Sequence, residues 1–405
     1  MAVGPERKVS VVPIEGIRLA AVESQIRYTN RLDLVLVEIA EGSTTVGVFT
    51  QNAFCAAPVS ISRQQVKYAA SRYFLINTGN ANAGTGSEGK LAALACCDGL
   101  AEIAETSPGQ ILPFSTGVIG EQLPFNKILV ALPMLYEALS PDAWQSAAQG
   151  ILTTDTRPKL ASTSFIVNGF QTNISGFAKG SGMIRPNMAT MLAYVFSDAQ
   201  IERPILENFL DIAVNNSFNR ITVDGDTSTN DCCMLVATGR GPLVITDIGS
   251  EEARQFQSEL NDVFEQLATD LIRDAEGASK FITIEVNEGK SEQECLAVAY
   301  AVAESPLVKT AFFASDPNWG RILAAIGRAG LIDLDIESVT VTLGDTLLVS
   351  KGAIDAAYSE SAGQSEMGKD EIRVQINLDR GQACERVWTS DLSNEYVRIN
   401  ADYRS

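Results

Sequence analysis

FAKGSGMIRPNMATML, residues Phe177 to Leu192, places glycines and a proline directly ahead of an apolar run, MLAYVF, that continues to Phe196. Gly and Pro punctuate loops, and a short continuous apolar run after them has the pattern of a buried strand. Thr190 therefore stands at a loop-to-strand junction. Such a threonine can add its hydroxyl to the carbonyl carbon of Ala189, shifting the peptide bond to an ester that water then opens. Thr190 would then begin a new chain with a free α-amine of pKa about 7.7–8.0, able to act as its own general base near neutral pH. Read alone, a threonine at the start of a strand is ordinary, because β-branched residues favour strands.

The 405 residues include no histidine. Ser-His-Asp and Cys-His sites are thereby excluded, as is the usual zinc hydrolase. Any general base must be a carboxylate, a lysine or an α-amino group, a role that a new amino terminus can fill. A formal net charge of −19 opposes binding to nucleic-acid phosphates, and no basic run offers a local exception. Small molecules and other proteins are the expected partners. The absence of a long apolar run or apolar leader predicts a cytoplasmic protein that spans no membrane. Cysteines 55, 96, 97, 232, 233, 295 and 384 follow neither a disulfide framework nor C-x-x-C metal spacing, and are expected to be small buried hydrophobes.

A chain of this length exceeds what one core usually serves, so two domains or two packed lobes are expected. VSVVPI (9–14), LDLVLVEIA (32–40) and YFLIN (73–77) read as strands, and SEGKLAALACCDGLAEIAE (87–105) as a helix. Between 251 and 274, Phe256, Leu260, Val263, Phe264, Leu267 and Leu271 recur at helical spacing with acids on the other face, which predicts an amphipathic core helix. SVTVTLGDTLLVS (338–350) predicts two strands around a Gly-Asp turn, and EIRVQINLD with ACERVWTSDL adds two more.

Four other segments could carry chemistry. ILPFSTGVIG (111–120) is a β-rich run that breaks at Ser115-Thr116-Gly117. A small residue exposes backbone N–H there, and a neighbouring hydroxyl adds a second donor, the pair a tetrahedral oxyanion needs; the plain alternative is a turn. Gly84-x-Gly86-x-x-Gly89 before a helix imitates a dinucleotide fingerprint, but Thr78 to Ala83 separate it from the preceding strand, so no nucleotide is expected. Asn77, Asn80 and Asn82 suit a rigid hydrogen-bonded loop or one supporting a nearby active site. DGDTSTND (224–231) offers oxygen ligands only, without EF-hand spacing, and reads as a turn-rich loop beside the active site rather than a magnesium or calcium site. DPNWGR (316–321) starts a helix, with Arg321 as either a structural residue or an anion contact.

Taken in order, NTGNANAGTG, STGVIG, TTDT, KGSGMIRPNMATML, VDGDTSTND, DAEGASK, DPNWGR and YVRINADYRS resemble the blocks of the ornithine acetyltransferase family, also called glutamate N-acetyltransferase, across nearly the whole chain. The resemblance implies an α/β (α+β) fold of layered αββα type with two lobes. It implies self-cleavage at Ala189-Thr190 into an α chain, 1–189, and a β chain, 190–405, which assemble as two of each. Thr190 would be nucleophile and general base, and Thr116 and Gly117 the oxyanion hole. Thr153, Lys179, Thr190, Glu276, Asn400 and Ser405 would contact substrate, with Lys179 pairing a carboxylate and Glu276 an ammonium. Ser405 departs from the threonine common in the family but keeps the hydroxyl.

The implied reaction is ping-pong transfer of acetyl from N-acetylornithine to glutamate in arginine biosynthesis. One amide is exchanged for another, so no ATP, metal, nicotinamide or other cofactor is expected; acetyl-CoA stays open as a second acetyl donor. Two alternatives remain at this stage: a self-processing aminopeptidase or amidohydrolase of the same fold, and a non-enzymatic binding protein that shares it.

Overall fold

The computed structural model describes residues 2–185 and 191–402, so Ala189, Thr190 and Ser405 lie outside the described residues. The chain divides into two compact units, as two lobes were expected. The larger comprises residues 7–219 and 227–271, and the smaller residues 1–6, 220–226 and 272–405.

In the larger unit, β1 (Ile17–Val22), β2 (Leu34–Ile39), β3 (Thr44–Phe49), β4 (Tyr73–Asn80), β5 (Ile111–Val118), β6 (Lys159–Val167), β7 (Phe170–Lys179) and β8 (Leu192–Ser197), with a further strand Cys232–Ala237, form two sheets. One has the order β1-β2-β4-β5; the other runs β3, Cys232–Ala237, β8, β7, β6. The helices are α1 (Ala57–Tyr68), α2 (Gly86–Ala104), α3 (Phe125–Glu137), α4 (Trp144–Gly150), α5 (Arg203–Asn216) and α6 (Glu251–Arg273), the last continuing past the unit's edge at Leu271.

Strands β2 and β4 show why the layers form. Val35, Val37, Phe74 and Ile76 enter a core between the sheets, where they join Phe177 of β7, Tyr194 and Phe196 of β8, and Met234. Their alternate neighbours Leu34, Leu36, Tyr73 and Leu75 share a second core with Cys96 and Leu100 of α2 and with Ile128 and Leu132 of α3. A strand buried on both faces must be apolar throughout, hence the unbroken runs of LVLVEI and YFLIN. Beyond the second sheet, Phe165 of β6 and Phe209 of α5 meet Phe256 of α6 at centroid distances of 6.4 and 5.3 Å. Helices, sheet, sheet and helices thus stack in the expected αββα order.

The segment Val9 to Ile14, read as a strand, forms none. Val12 instead donates its N–H to Ser162 Oγ and accepts from Ser175 Oγ, so hydroxyls of β6 and β7 take the place of a backbone ladder. The run at Ser115-Thr116-Gly117 also does not break; β5 continues through it to Val118. Five cysteines are buried as expected, Cys55 is half-buried, and Cys384 is the exposed exception.

The smaller unit rests on a seven-stranded sheet in the order Ile221–Thr222, Ala383–Ser390, Phe281–Gly289, Glu371–Asn377, Thr340–Leu343, Thr346–Ser350, Ala353–Ile354. The hairpin at Gly344-Asp345 is antiparallel, whereas Glu371–Asn377 pairs in parallel with Phe281–Gly289, so the sheet is mixed. Helices α7 (Glu292–Ala303), α8 (Pro306–Phe313), α9 (Trp319–Gly327) and α10 (Glu360–Met367) bury Val298, Phe312, Ile326 and Met367 against Ile284, Val341 and Val374. The last helix, α11 (Asn394–Ala401), is capped by Ser393, whose hydroxyl accepts from the Tyr396 N–H. Among the described residues no single helix is long and apolar enough to cross a membrane.

Candidate active site

The tip of β5 is held by its neighbours rather than by its own sequence. Thr116 lies opposite Thr78 and Gly117 opposite Gly79 in the parallel β4–β5 ladder, which slips at Asn80. Gly117 has φ +133°, and a Cβ there would sit 2.3 Å from the Gly79 carbonyl carbon and 2.5 Å from the Asn80 nitrogen. Only glycine allows this backbone approach. Ser115 donates its hydroxyl to Asn77 Oδ1 at 2.5 Å, and Asn77 Nδ2 donates to the Asn80 carbonyl at 2.9 Å. Asn230 donates from Nδ2 to the carbonyls of both Ala81 and Ser115, at 2.6 and 2.8 Å. The asparagine loop and the 227–231 part of DGDTSTND therefore support this tip, as the sequence suggested. Among the described residues no group of three or more acids or cysteines is placed to hold a metal ion. Asn82 lies in the loop ahead of α2, donating to the Gly89 carbonyl in its first turn and accepting from Thr85 Oγ1.

Lys179, the last residue of β7, is 9% exposed and donates from Nζ to Thr116 Oγ1 at 3.0 Å. Thr116 is buried too, so it is not the surface turn residue its motif suggests. In the β7–β8 ladder Lys179 stands opposite Leu192, two positions beyond Thr190 in the sequence.

Asp155 lies at the centre of the next set of contacts. Its side chain is fully buried, and it pairs with the equally buried ammonium of Lys159, the first residue of β6. It also accepts the Gly180 N–H at 2.8 Å and the Thr153 N–H at 3.0 Å. Burial alone would raise its pKa, but the charges of Lys159 and Lys179, with the hydrogen bonds from Lys159 and the Thr153 amide, outweigh it and hold the carboxyl well below the usual range. Arg31 donates to the Thr153 carbonyl at 3.0 Å, fixing the same turn from its other side. The larger unit thus brings together Thr116, Gly117, Thr153 and Lys179. The TTDT block marks Thr153 in the sequence but not its acid, because two of the Asp155 partners are backbone N–H groups that leave no trace in a residue pattern.

In the smaller unit Glu276 is 8% exposed, not the solvated acid that its place after a long helix would suggest. It accepts from Asn400 Nδ2 at 2.7 Å, which pairs two of the substrate-contact candidates of this unit. Gly277, at φ +69°, lets α11 approach so closely that a Cβ would lie 2.5 Å from the Tyr396 nitrogen. Ser393 closes the contact by donating to the Gly277 carbonyl at 2.7 Å, and the Tyr396 hydroxyl donates to Asp224 at 3.0 Å. Asp391 accepts the N–H groups of Ser279 and Lys280 at 2.8 and 2.9 Å, just beyond the turn. Buried Lys309 donates to Thr389 Oγ1; its burial, partly offset by Asp391, Asp224 and Glu304, pushes its pKa down to about 8. Arg321 donates to the Leu307 carbonyl at 2.7 Å and Asn318 caps α9, so DPNWGR serves as a helix start.

Residues 18–405 match the model of the ArgJ family. The chain is 52% identical to the arginine biosynthesis bifunctional protein ArgJ of Pseudomonas fluorescens (strain Pf0-1) over 408 residues, and 52% identical to that of Methylococcus capsulatus over 409, with 100% of both chains covered in each case. It is also similar to the solved structure of the argJ protein of Bacillus halodurans, at 36% identity and a TM-score of 0.50, over 52% of this chain and 99% of that one. With a family match that runs from the first strand to the last residue and relatives half identical from end to end, this chain belongs to the ArgJ family, acetyl-transferring enzymes of arginine biosynthesis.

Proposed function

We propose that the enzyme cleaves itself between Ala189 and Thr190 and then carries acetyl from N2-acetyl-L-ornithine to L-glutamate on the Thr190 hydroxyl. The observation that supports this reading most is the buried contact of Lys179 with Thr116, beside a Gly117 that no other residue can replace. It holds a side-chain hydroxyl next to a backbone N–H at the tip of β5, two donors of the kind that can hold an oxyanion. In the first half-reaction Thr190 Oγ bonds to the acetyl carbon, its proton passes to the Thr190 amine, and the carbonyl electrons move to the oxygen held by Thr116 and Gly117. Collapse breaks the C–N bond, and ornithine leaves with that proton. Glutamate reverses these steps as acceptor. By the family resemblance Lys179, Thr153, Glu276, Asn400 and Ser405 contact the two amino acids. The length of the Bacillus halodurans chain fits the cleavage: it spans 52% of this one, and residues 190–405 would make up about 53%.

We further propose that the cleaved chains assemble as two α and two β chains in the cytoplasm. The relatives' description as bifunctional supports a second activity, acetylation of glutamate from acetyl-CoA. The test incubates enzyme and N-acetylornithine with and without glutamate, and separately glutamate with acetyl-CoA. Transfer to glutamate well above hydrolysis supports the reading, while release of free acetate at the same rate without glutamate would make the protein an amidohydrolase.

A base that is an α-amine has a signature in pH. The Thr190 amine titrates at about 7.7–8.0 when unperturbed, and kcat/KM for acetyl transfer is expected to rise with pH through a midpoint between about 6.5 and 8.5. Like charge from Lys179 would lower that midpoint, so Lys179→Met should move it upward. A profile flat from about pH 6 to 9, with chemistry shown to limit the rate, would hand the base to another group.

A further inference from the structure

We infer that Lys179 acts on the reaction through Thr116, its ammonium fixing and polarising the hydroxyl that meets the oxyanion, with Asp155 as the positioning residue that holds Lys179 in place. The inference rests on the proposed acyl transfer at this site. Pairing with a substrate carboxylate, the role the family resemblance suggests, does not account for the contact observed, a 3.0 Å hydrogen bond from Nζ to a buried hydroxyl of the same unit.

The chemistry follows from what a hydroxyl can do. Thr116 Oγ1 carries one proton and can accept through its lone pairs. When it accepts from an ammonium, its own proton must point away from Nζ, and the donated charge strengthens the bond that proton makes. The hydroxyl becomes a fixed and stronger donor before any substrate arrives, which is the preorganisation that stabilises a developing oxyanion.

Asp155 completes the device from two directions. Burying an ammonium that is only 9% exposed is costly without a nearby countercharge, and Asp155 lies close enough for the charge of Lys179, with that of Lys159, to hold its carboxyl ionised. The same carboxylate accepts the N–H of Gly180, the residue after Lys179, and so fixes the backbone from which the side chain leaves β7. Lys159 anchors the carboxylate in turn from the start of β6.

The test is a double-mutant cycle on kcat for acetyl transfer, using enzyme shown by denaturing gel to be fully processed. Thr116→Ala should lower kcat by about 10²–10³, the usual effect of losing one oxyanion donor. Lys179→Met should lower kcat about tenfold or more while the Thr116 hydroxyl is present, and by much less once Thr116 is alanine, because both changes remove one device. A ratio of the two factors below about three, or an effect of Lys179→Met on KM alone, overturns the inference. If Lys179→Met does not fold or process, Lys179→Gln carries the same comparison. Failure of the wild-type enzyme to move acetyl to glutamate would instead overturn the reading of function, a result distinct from additive factors in an active enzyme.

Discussion

Thr190→Ala is expected to run as one full-length band and to transfer no acetyl. The wild-type chain of 43.4 kDa should give two bands without added protease, at about 20 and 23 kDa by simple proportion for a nucleophile that frees its own amine. One substitution removes both outcomes because the same hydroxyl opens the peptide and carries the acetyl group. Thr190→Ser keeps a hydroxyl and should still divide, only more slowly. The chain has no histidine to take over as base, so little residual rate is expected once the new amino terminus is missing. Active, undivided Thr190→Ala protein would end the mechanism.

Asp155→Ala is expected to be the most destabilising change at the site outside the nucleophile. It leaves the buried Lys159 ammonium without its carboxylate and strips the Gly180 and Thr153 N–H groups of their acceptor. Breaking a buried ion pair by removing one partner costs about 3–5 kcal/mol, which in a unit of this size lowers Tm by on the order of 10 °C. The pH dependence carries a sign. Because the native pKa of Asp155 is depressed, its contribution is complete above the unfolded value of about 3.9 and is lost as pH falls through the native one. Thermal melts from neutral pH down to about 3 should therefore show the wild type keeping its full advantage over Asp155→Ala to about pH 4 and beginning to lose it below. Equal Tm values at neutral pH would show that Lys159 and Lys179 are held by other groups.

Several residues of the candidate site stand out in the sequence because they sit where strands end. Thr116 and Gly117 close β5 and Lys179 closes β7, and a glycine or a loop signal marks each of those places. The runs of β2, β4 and β8 declared themselves because burial on both faces demands apolar residues throughout. Val9 to Ile14 misled for the same reason: its apolar residues do pack on the core, but its backbone bonds to two serine hydroxyls that no local pattern announces. Asn230 and Asp155 stayed hidden because their partners are distant or are backbone atoms. Asn230 reaches the carbonyl of Ser115, 115 residues away. A carboxylate that binds two N–H groups and an ammonium looks, in sequence, like any acid in a turn.

The second sheet of the larger unit has one further consequence. Its order runs β3, Cys232–Ala237, β8, β7, β6, so strands from before residue 190 lie on both sides of two strands from after it. A cut at that point would divide the polymer without dividing the sheet. Two polypeptides would then share a single folding history, woven before they were separate, and neither could be exchanged for a copy from another molecule without unravelling the ladder. Such an enzyme would inherit its subunit pairing from synthesis rather than find it by collision, and halves expressed apart and mixed after folding should fail to reconstitute.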